Sequence, residues 1–231
     1  MASFIDLTSA DGFVFPAYVA EPAGKPRGAI VVVQEIFGVN AHIREVAEGY
    51  AANGYLAVAP AIYHRLQHNV ELGYTPEDIQ AGAALKARAE ALPAPGVMQD
   101  LQAAVDYAAK IAQGKVGIVG YCYGGLLSWR AAALLSGLSA TAPYYGGGST
   151  VGAELQRQPK VPVLAHFGRR DAHITMDTVE AFTKAQPAVE VQVYEADHGF
   201  NCDHRGSYDA AAAKLALERT LSFFEKHLTQ A

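Results

Sequence analysis

The segment Lys115–Gly125, KVGIVGYCYGG, constrains the chain more than any other stretch. Val116, Ile118 and Val119 form a short apolar run rich in β-branched residues, the pattern of a strand buried on both faces. The run breaks at Gly120-Tyr121-Cys122-Tyr123-Gly124, a G-x-C-x-G pentapeptide, and Leu126, Leu127, Trp129, Ala131–Ala133, Leu134 and Leu135 then read as a helix. Strand, sharp turn between glycines and helix are together the context of a nucleophile elbow, whose strained turn holds one side chain above the sheet edge. Cysteine stands at the centre, where serine is usual. The helix N-terminus behind it favours negative charge and hence the thiolate. A glycine-rich turn around an inert, buried cysteine fits the pentapeptide equally well, so the rest of the chain has to decide.

The 231 residues suffice for one sizeable α/β core, and the chain reads as a single domain over 1–231. A formal net charge of −5 with scattered basic residues argues against a nucleic-acid partner. No apolar run approaches the roughly 18 residues of a membrane span. MASFIDLTSADGF lacks the charged and apolar regions of a secretory leader, which sets the expectation of a cytoplasmic protein. The two cysteines, Cys122 and Cys202, are then expected to be reduced, although sequence alone leaves a disulfide between them open.

Along the chain, Phe4–Leu7 and Phe13–Val19 flank an Asp11-Gly12 pair and predict an antiparallel hairpin. Ala29–Val33, Tyr55–Ala59, Val116–Val119, Ala140–Tyr145, Val161–Phe167 and Val189–Tyr194 read as further strands. Helices are expected from Ile43 to Ala51 with an Asn53-Gly54 stop, from Thr75-Pro76 to about Ala91, around Met98–Ala108, after the elbow, over Met176–Ala185, and from about Ser207 to His227. The alternation predicts a mostly parallel central sheet with helices on both faces and an antiparallel N-terminal hairpin. Ligands bind such sheets beyond the C-terminal strand ends. Glu35, Cys122, Asp171 and His198 all fall at such ends.

Nucleophile, acid and histidine in that chain order is the order of α/β-hydrolases, and Cys122, Asp171 and His198 supply it. The imidazole would take the thiol proton, and the carboxylate would fix its tautomer and stabilise its charged form. Each member has a competing explanation. Asp171 could be a solvated acid paired with Arg169 or Arg170, with Asp197 in its place. His198 could cap the last helix, with His166 or His173 as the base. Glu35 sits where such folds carry the second oxyanion loop, so the backbone N–H groups of Ile36 and Tyr123 are the expected oxyanion hole; it could instead be a surface acid. Tyr144 and Tyr145 are candidates for a pocket wall or the core. Cys202 reads as a buried bystander, and Cys202-x-His204 lacks a second Cys/His pair, so neither metal nor cofactor is called for.

QEIFGVN (Gln34–Asn40), KVGIVGYCYGG, the Gly168–Asp171 turn, DHGF (Asp197–Phe200) and RGSYDAAAAKLALERTLSFF (Arg205–Phe224) together resemble the dienelactone hydrolase family, over nearly the whole chain and in order. The resemblance implies an α/β-hydrolase fold, a catalytic triad of Cys122, Asp171 and His198, and a resting-state role for Glu35 in keeping the thiol neutral until substrate displaces it. It implies cofactor-free opening of the enol-lactone 4-carboxymethylenebut-2-en-4-olide to maleylacetate, through an acyl-thioester in the cysteine-dependent reading. Two arginines hold the substrate carboxylate in the family's type enzymes. Arg205 lies near one of these positions at a different spacing, and Arg88 is only the nearest arginine to the other. The expected partner is a small-molecule ester or lactone, with or without a carboxylate, and the protein a monomer or small homo-oligomer. Two alternatives stay open: a carboxylesterase or lactonase of the same fold with another substrate, and a non-catalytic binding or thiol redox-sensing protein.

Overall fold

The computed structural model describes residues 1–228. Its strands are β1 (Ala2–Thr8), β2 (Val14–Ala20), β3 (Ala29–Val33), β4 (Leu56–Pro60), β5 (Val116–Tyr121), β6 (Leu138–Tyr144), β7 (Leu164–Gly168) and β8 (Glu190–Tyr194). They form one sheet in the order β1-β2-β4-β3-β5-β6-β7-β8. The β1–β2 hairpin joins β4 antiparallel, and from β4 to β8 every pairing is parallel. The helices are α1 (Ala41–Ala52), α2 (Pro76–Glu90), α3 (Met98–Ala112), α4 (Tyr123–Leu134), α5 (Met176–Ala185) and α6 (Ala210–Leu228). This is the α/β-hydrolase architecture expected from the sequence.

β3 explains the two-layered core. Its five residues AIVVV are all buried, and successive side chains of a strand face opposite sides of the sheet. Ile30 and Val32 join the cluster built with α1 and α6, whereas Ala29, Val31 and Val33 join the one built with α2 and α3. A continuous β-branched run is therefore what a strand covered on both faces requires. Helix starts follow the sequence signals closely. Asn40 caps α1 by accepting from the Ile43 N–H at 3.3 Å, and Thr75 and Asp78 make a reciprocal capping box at α2.

Some boundaries differ from expectation, and two of them have a clear physical reason. β7 begins at Leu164 rather than Val161, because Pro162 has no N–H for the ladder and contributes only its carbonyl, to the Thr141 N–H at 3.0 Å. α6 begins at Ala210 rather than Ser207, since the Asp209 side chain accepts from the Ala212 N–H at 2.9 Å and sets the first turn. The segment after Gly146-Gly147-Gly148 also carries a short 3₁₀ turn, Gly152–Gln156, with no periodic sequence signature.

β3 and β5 are neighbours, but the chain leaves them in opposite directions, β3 towards β4 and β5 towards β6. That divergence opens a crevice at the C-terminal ends of the two central strands. Glu35 leaves β3 there and Cys122 leaves β5.

Candidate active site

Cys122 is the single residue between β5 and α4, with φ 54° and ψ −110°. This backbone region is unfavourable for a residue with a Cβ and persists only where its surroundings impose it. They do so here through both peptide groups: the Cys122 N–H donates to the Tyr144 carbonyl at 3.1 Å, and the Cys122 carbonyl accepts from the Leu126 N–H at 3.2 Å. The turn also brings α4 hard against β3. A Cβ on Gly124 would stand 2.3 Å from the Val33 carbonyl oxygen, so only glycine fits. The thiol is partly exposed, at the N-terminus of α4, and makes no capping bond to that helix.

Asp171 leaves β7 and is 3 % exposed. Its Oδ1 accepts from the His173 and Ile174 N–H groups at 2.7 and 3.1 Å. Its Oδ2 is 2.7 Å from His198 Nδ1. The carboxylate thus places the ring proton on Nδ1 and leaves Nε2 for chemistry. Burial alone would push the imidazole down; the Asp171 bond first, then contact with Cys122, outweigh it and hold His198 up at about 10, which favours the imidazolium once Nε2 has taken a proton. Arg169 and Arg170 are engaged elsewhere, with Glu195 and with Asp197 and Asp209, so Asp171 is not their partner. Asp197 is exposed and faces Arg170.

The competing histidines have other partners. His166 is fully buried in β7, bonded through Nδ1 to the Tyr194 hydroxyl at 2.9 Å and through Nε2 to Thr220 at 3.0 Å, and burial lowers it to about 3. His173 packs edge-on against the His198 ring, with centroids 5.1 Å apart.

Glu35 is 1 % exposed and so is no surface acid. Its Oε1 accepts from Arg205 Nη1 at 3.1 Å, while Oε2 has no partner among the described residues. The Arg205 guanidinium lies 5.7 Å from the Phe37 ring centroid and 5.9 Å from that of Tyr74, a partly desolvated cation–π setting. Gly199 makes room for it, since a Cβ there would fall 2.5 Å from Nη1. Neither Asp203 nor Asp209 pairs with Arg205. Arg88 instead donates to the Leu66 carbonyl at 2.9 Å.

The two tyrosines separate. Tyr145, with φ 35°, sets its ring tilted at 60° to that of His198 with centroids 5.1 Å apart, and its buried hydroxyl has no partner among the described residues. Tyr144 takes the second of its two expected places, the core, and not a pocket wall: its hydroxyl lies 2.6 Å from Thr220 Oγ1 in the buried network that also holds His166. Ile36 follows Glu35 in the loop after β3, and its N–H has no backbone acceptor among the described residues. Tyr123 opens α4, so its N–H has no preceding turn to bond.

The chain matches the model of the dienelactone hydrolase family over residues 15–228. The chain belongs to the dienelactone hydrolase family. It is 37 % identical over 227 residues to the carboxymethylenebutenolidase of Pseudomonas putida, covering 95 % of this chain and 94 % of that one. A Pseudomonas knackmussii carboxymethylenebutenolidase matches to the same extent. A crystal structure of a Klebsiella pneumoniae chain assigned to the dienelactone hydrolases superposes with a TM-score of 0.83 at 34 % identity, covering 98 % of this chain and 99 % of that one. The protein is accordingly a carboxylic ester hydrolase of dienelactone hydrolase type, acting on a small-molecule ester or lactone. No helix among the described residues is long and apolar enough to cross a membrane.

In this dienelactone hydrolase family member, two residues near Arg205 carry no site signal in the sequence. Tyr74 lies in an irregular segment, yet it flanks Arg205, and its hydroxyl accepts from Asn40 Nδ2 at 3.1 Å. Asn40, the cap of α1, also donates to the Leu72 carbonyl at 3.0 Å and fastens that segment beside Arg205. Cys202 is fully buried, and burial pushes its thiol up to about 12.

Proposed function

We propose that the enzyme opens its ester or lactone by nucleophilic catalysis at Cys122. His198 accepts the thiol proton, and the thiolate attacks the acyl carbon. The Ile36 and Tyr123 N–H groups receive the developing oxyanion, a hole that costs no reorganisation because it is built from backbone. Collapse expels the alcohol or enol, protonated by His198, and leaves an acyl-thioester. His198 then activates water, the second tetrahedral intermediate collapses, and the acid leaves with the thiol restored. The observation that carries this reading is Cys122 at a strained φ of 54° on the β5–α4 turn, with the 2.7 Å Asp171–His198 pair across the same crevice.

Before substrate arrives, Glu35 keeps one carboxylate oxygen free at the crevice that holds Cys122. Arg205 neutralises Glu35 in the resting enzyme. A substrate carboxylate would compete for that guanidinium, through the two-pronged hydrogen bonding that suits arginine to carboxylates. Arg205 is thus the candidate substrate contact, with Tyr145 forming the wall beside His198. An enzyme for uncharged esters is the alternative, favoured by the fact that Arg205 already has an anionic partner.

Two variants test the scheme. Cys122→Ala should abolish turnover while the circular dichroism and thermal midpoint hold; full activity would sink the nucleophile assignment. Arg205→Ala should lower kcat/KM at least tenfold for a carboxylated lactone and little for a phenyl ester. Equal losses on both would leave the uncharged-ester reading.

A further inference from the structure

α1 and the loop after His198 bring together four donor side chains outside the triad: His42 and Glu45 from the helix, Asp203 and His204 from the loop. His42 and Glu45 are three residues apart and share one helix face. His42 Nδ1 is 3.2 Å from Asp203 Oδ1. His204 Nε2 is 2.8 Å from Glu45 Oε2 and 3.9 Å from Asp203 Oδ1. One donor atom from each residue lies within 4.8 Å of the other three. Around a tetrahedral zinc ion with bonds of about 2.0–2.2 Å, neighbouring donors stand roughly 3.4 Å apart. The observed separations bracket that value. Two carboxylates beside two imidazoles make a donor set whose charge a divalent cation cancels, and the nitrogens favour zinc and its transition-metal neighbours over magnesium or calcium.

The surroundings point the same way. A cleft of about 350 Å³ between α1 and α6 is lined by His42, Glu45 and Asp203, which gives an ion an entry path. His42 is 3 % exposed, and its Nε2 has no partner among the described residues. A histidine that served only the exposed Asp203 carboxylate would not need to be buried. Beneath it, a His42 ring nitrogen, a Glu35 carboxylate oxygen and the Cys202 sulfur also lie within 4.8 Å of one another. An ion on Nδ1 requires the ring proton on Nε2, and the unpartnered Glu35 Oε2 is a buried acceptor in that neighbourhood.

We propose that His42, Glu45, Asp203 and His204 form a binding site for a divalent transition-metal ion, zinc by preference, that clamps α1 to the loop between His198 and Arg205. The site is independent of how Cys122 reacts. The test is titration of the chelator-treated, full-length protein with Co²⁺ and then Zn²⁺. One Co²⁺ should bind with tetrahedral d–d absorption and no thiolate charge-transfer band; Zn²⁺ should displace it and raise the thermal midpoint. Glu45 and His204 are exposed enough to replace without unfolding the chain. Glu45→Gln and His204→Ala should each weaken Co²⁺ binding at least tenfold with unchanged circular dichroism, and Cys202→Ser should leave it unaltered. Absence of binding at millimolar Co²⁺, or binding indifferent to Glu45 and His204, would overturn the proposal. So would a charge-transfer band that disappears in Cys202→Ser, which would put the ion at Glu35, His42 and Cys202 instead.

Discussion

Two buried carboxylates, Asp100 and Glu35, are each 1 % exposed and each faces an arginine, yet they are treated differently. Asp100 on α3 accepts from Ser9 Oγ and from Arg65 twice, Nη2 to Oδ1 and Nε to Oδ2, both at 2.8 Å. Arg65 in turn grips Asp11 through two bonds of 2.8 and 2.9 Å and lies 4.3 Å over the Phe13 ring. That network fastens the β1–β2 turn to α3, and its buried acceptors are saturated. Glu35 has one bond of 3.1 Å and a second oxygen without a partner among the described residues. Burying an unsatisfied carboxylate oxygen is costly. A fold that can saturate Asp100 leaves Glu35 short at the mouth of the crevice, where an available acceptor can interact with a thiol or a displaced guanidinium.

The largest expected effects fall on the third buried carboxylate, Asp171, which is saturated but coupled to a moving proton. Asp171→Asn and His198→Asn should each lower kcat by about 10²–10⁴-fold. His173→Asn should not, and a loss of that size there would reassign the base. The same pair has a pH signature. The folded-state pKa of His198, about 10, lies above its ordinary 6.5, so the native state holds the proton longer than the unfolded chain. The stabilisation is complete below about pH 6.5 and is lost as pH rises through about 10. Unfolding free energies measured across that window should fall more steeply in the wild type than in Asp171→Asn. Parallel profiles would break the coupling.

Next in size, Asp100→Ala should cost about 1.5–3 kcal/mol in urea unfolding, because Ser9 and the half-buried Arg65 lose their shared acceptor and Arg65 keeps only Asp11. At temperatures where the variant is folded, kcat/KM should hold. Glu35→Gln should do the reverse: a stability change below about 1.5 kcal/mol, but several-fold faster iodoacetamide labelling of Cys122 at neutral pH. An unchanged labelling profile would place Glu35 outside the thiol's influence. The smallest effect is expected at Tyr144→Phe, about 1 kcal/mol in stability from the lost Thr220 bond with activity intact. Tyr145→Phe should instead change KM.

What could be read from the sequence was what local chemistry dictates. The G-x-C-x-G turn needs glycines for close approach, buried parallel strands need β-branched runs, and strand ends deliver Glu35, Cys122, Asp171 and His198 to one edge. Boundaries set by competing caps were less legible: Ser207 and Asp209 are both good caps, and Asp209 is the one whose N–H is held by the Phe200 carbonyl at 3.0 Å. Tyr144 and Tyr145 are adjacent and both fully buried, and only long-range contacts, Thr220 for one and His198 for the other, tell them apart. Arg205 could be located but not its partner, since Glu35 is 170 residues away in sequence. Tyr74 and His42 act through contacts of comparable range, to Arg205 and Asp203, and Asn40 beyond its helix cap acts through contacts 32 and 34 residues away.

Nucleophilic catalysis by this enzyme stands most directly on the chemical fate of Cys122. Rapid mixing with p-nitrophenyl acetate, acid quenching and intact-mass analysis of the protein should show a stoichiometric burst of p-nitrophenol together with one acyl group, mapped to Cys122 and absent from Cys122→Ala. Turnover without any acyl-enzyme, or an acyl group carried on Cys202 or another residue, would contradict it.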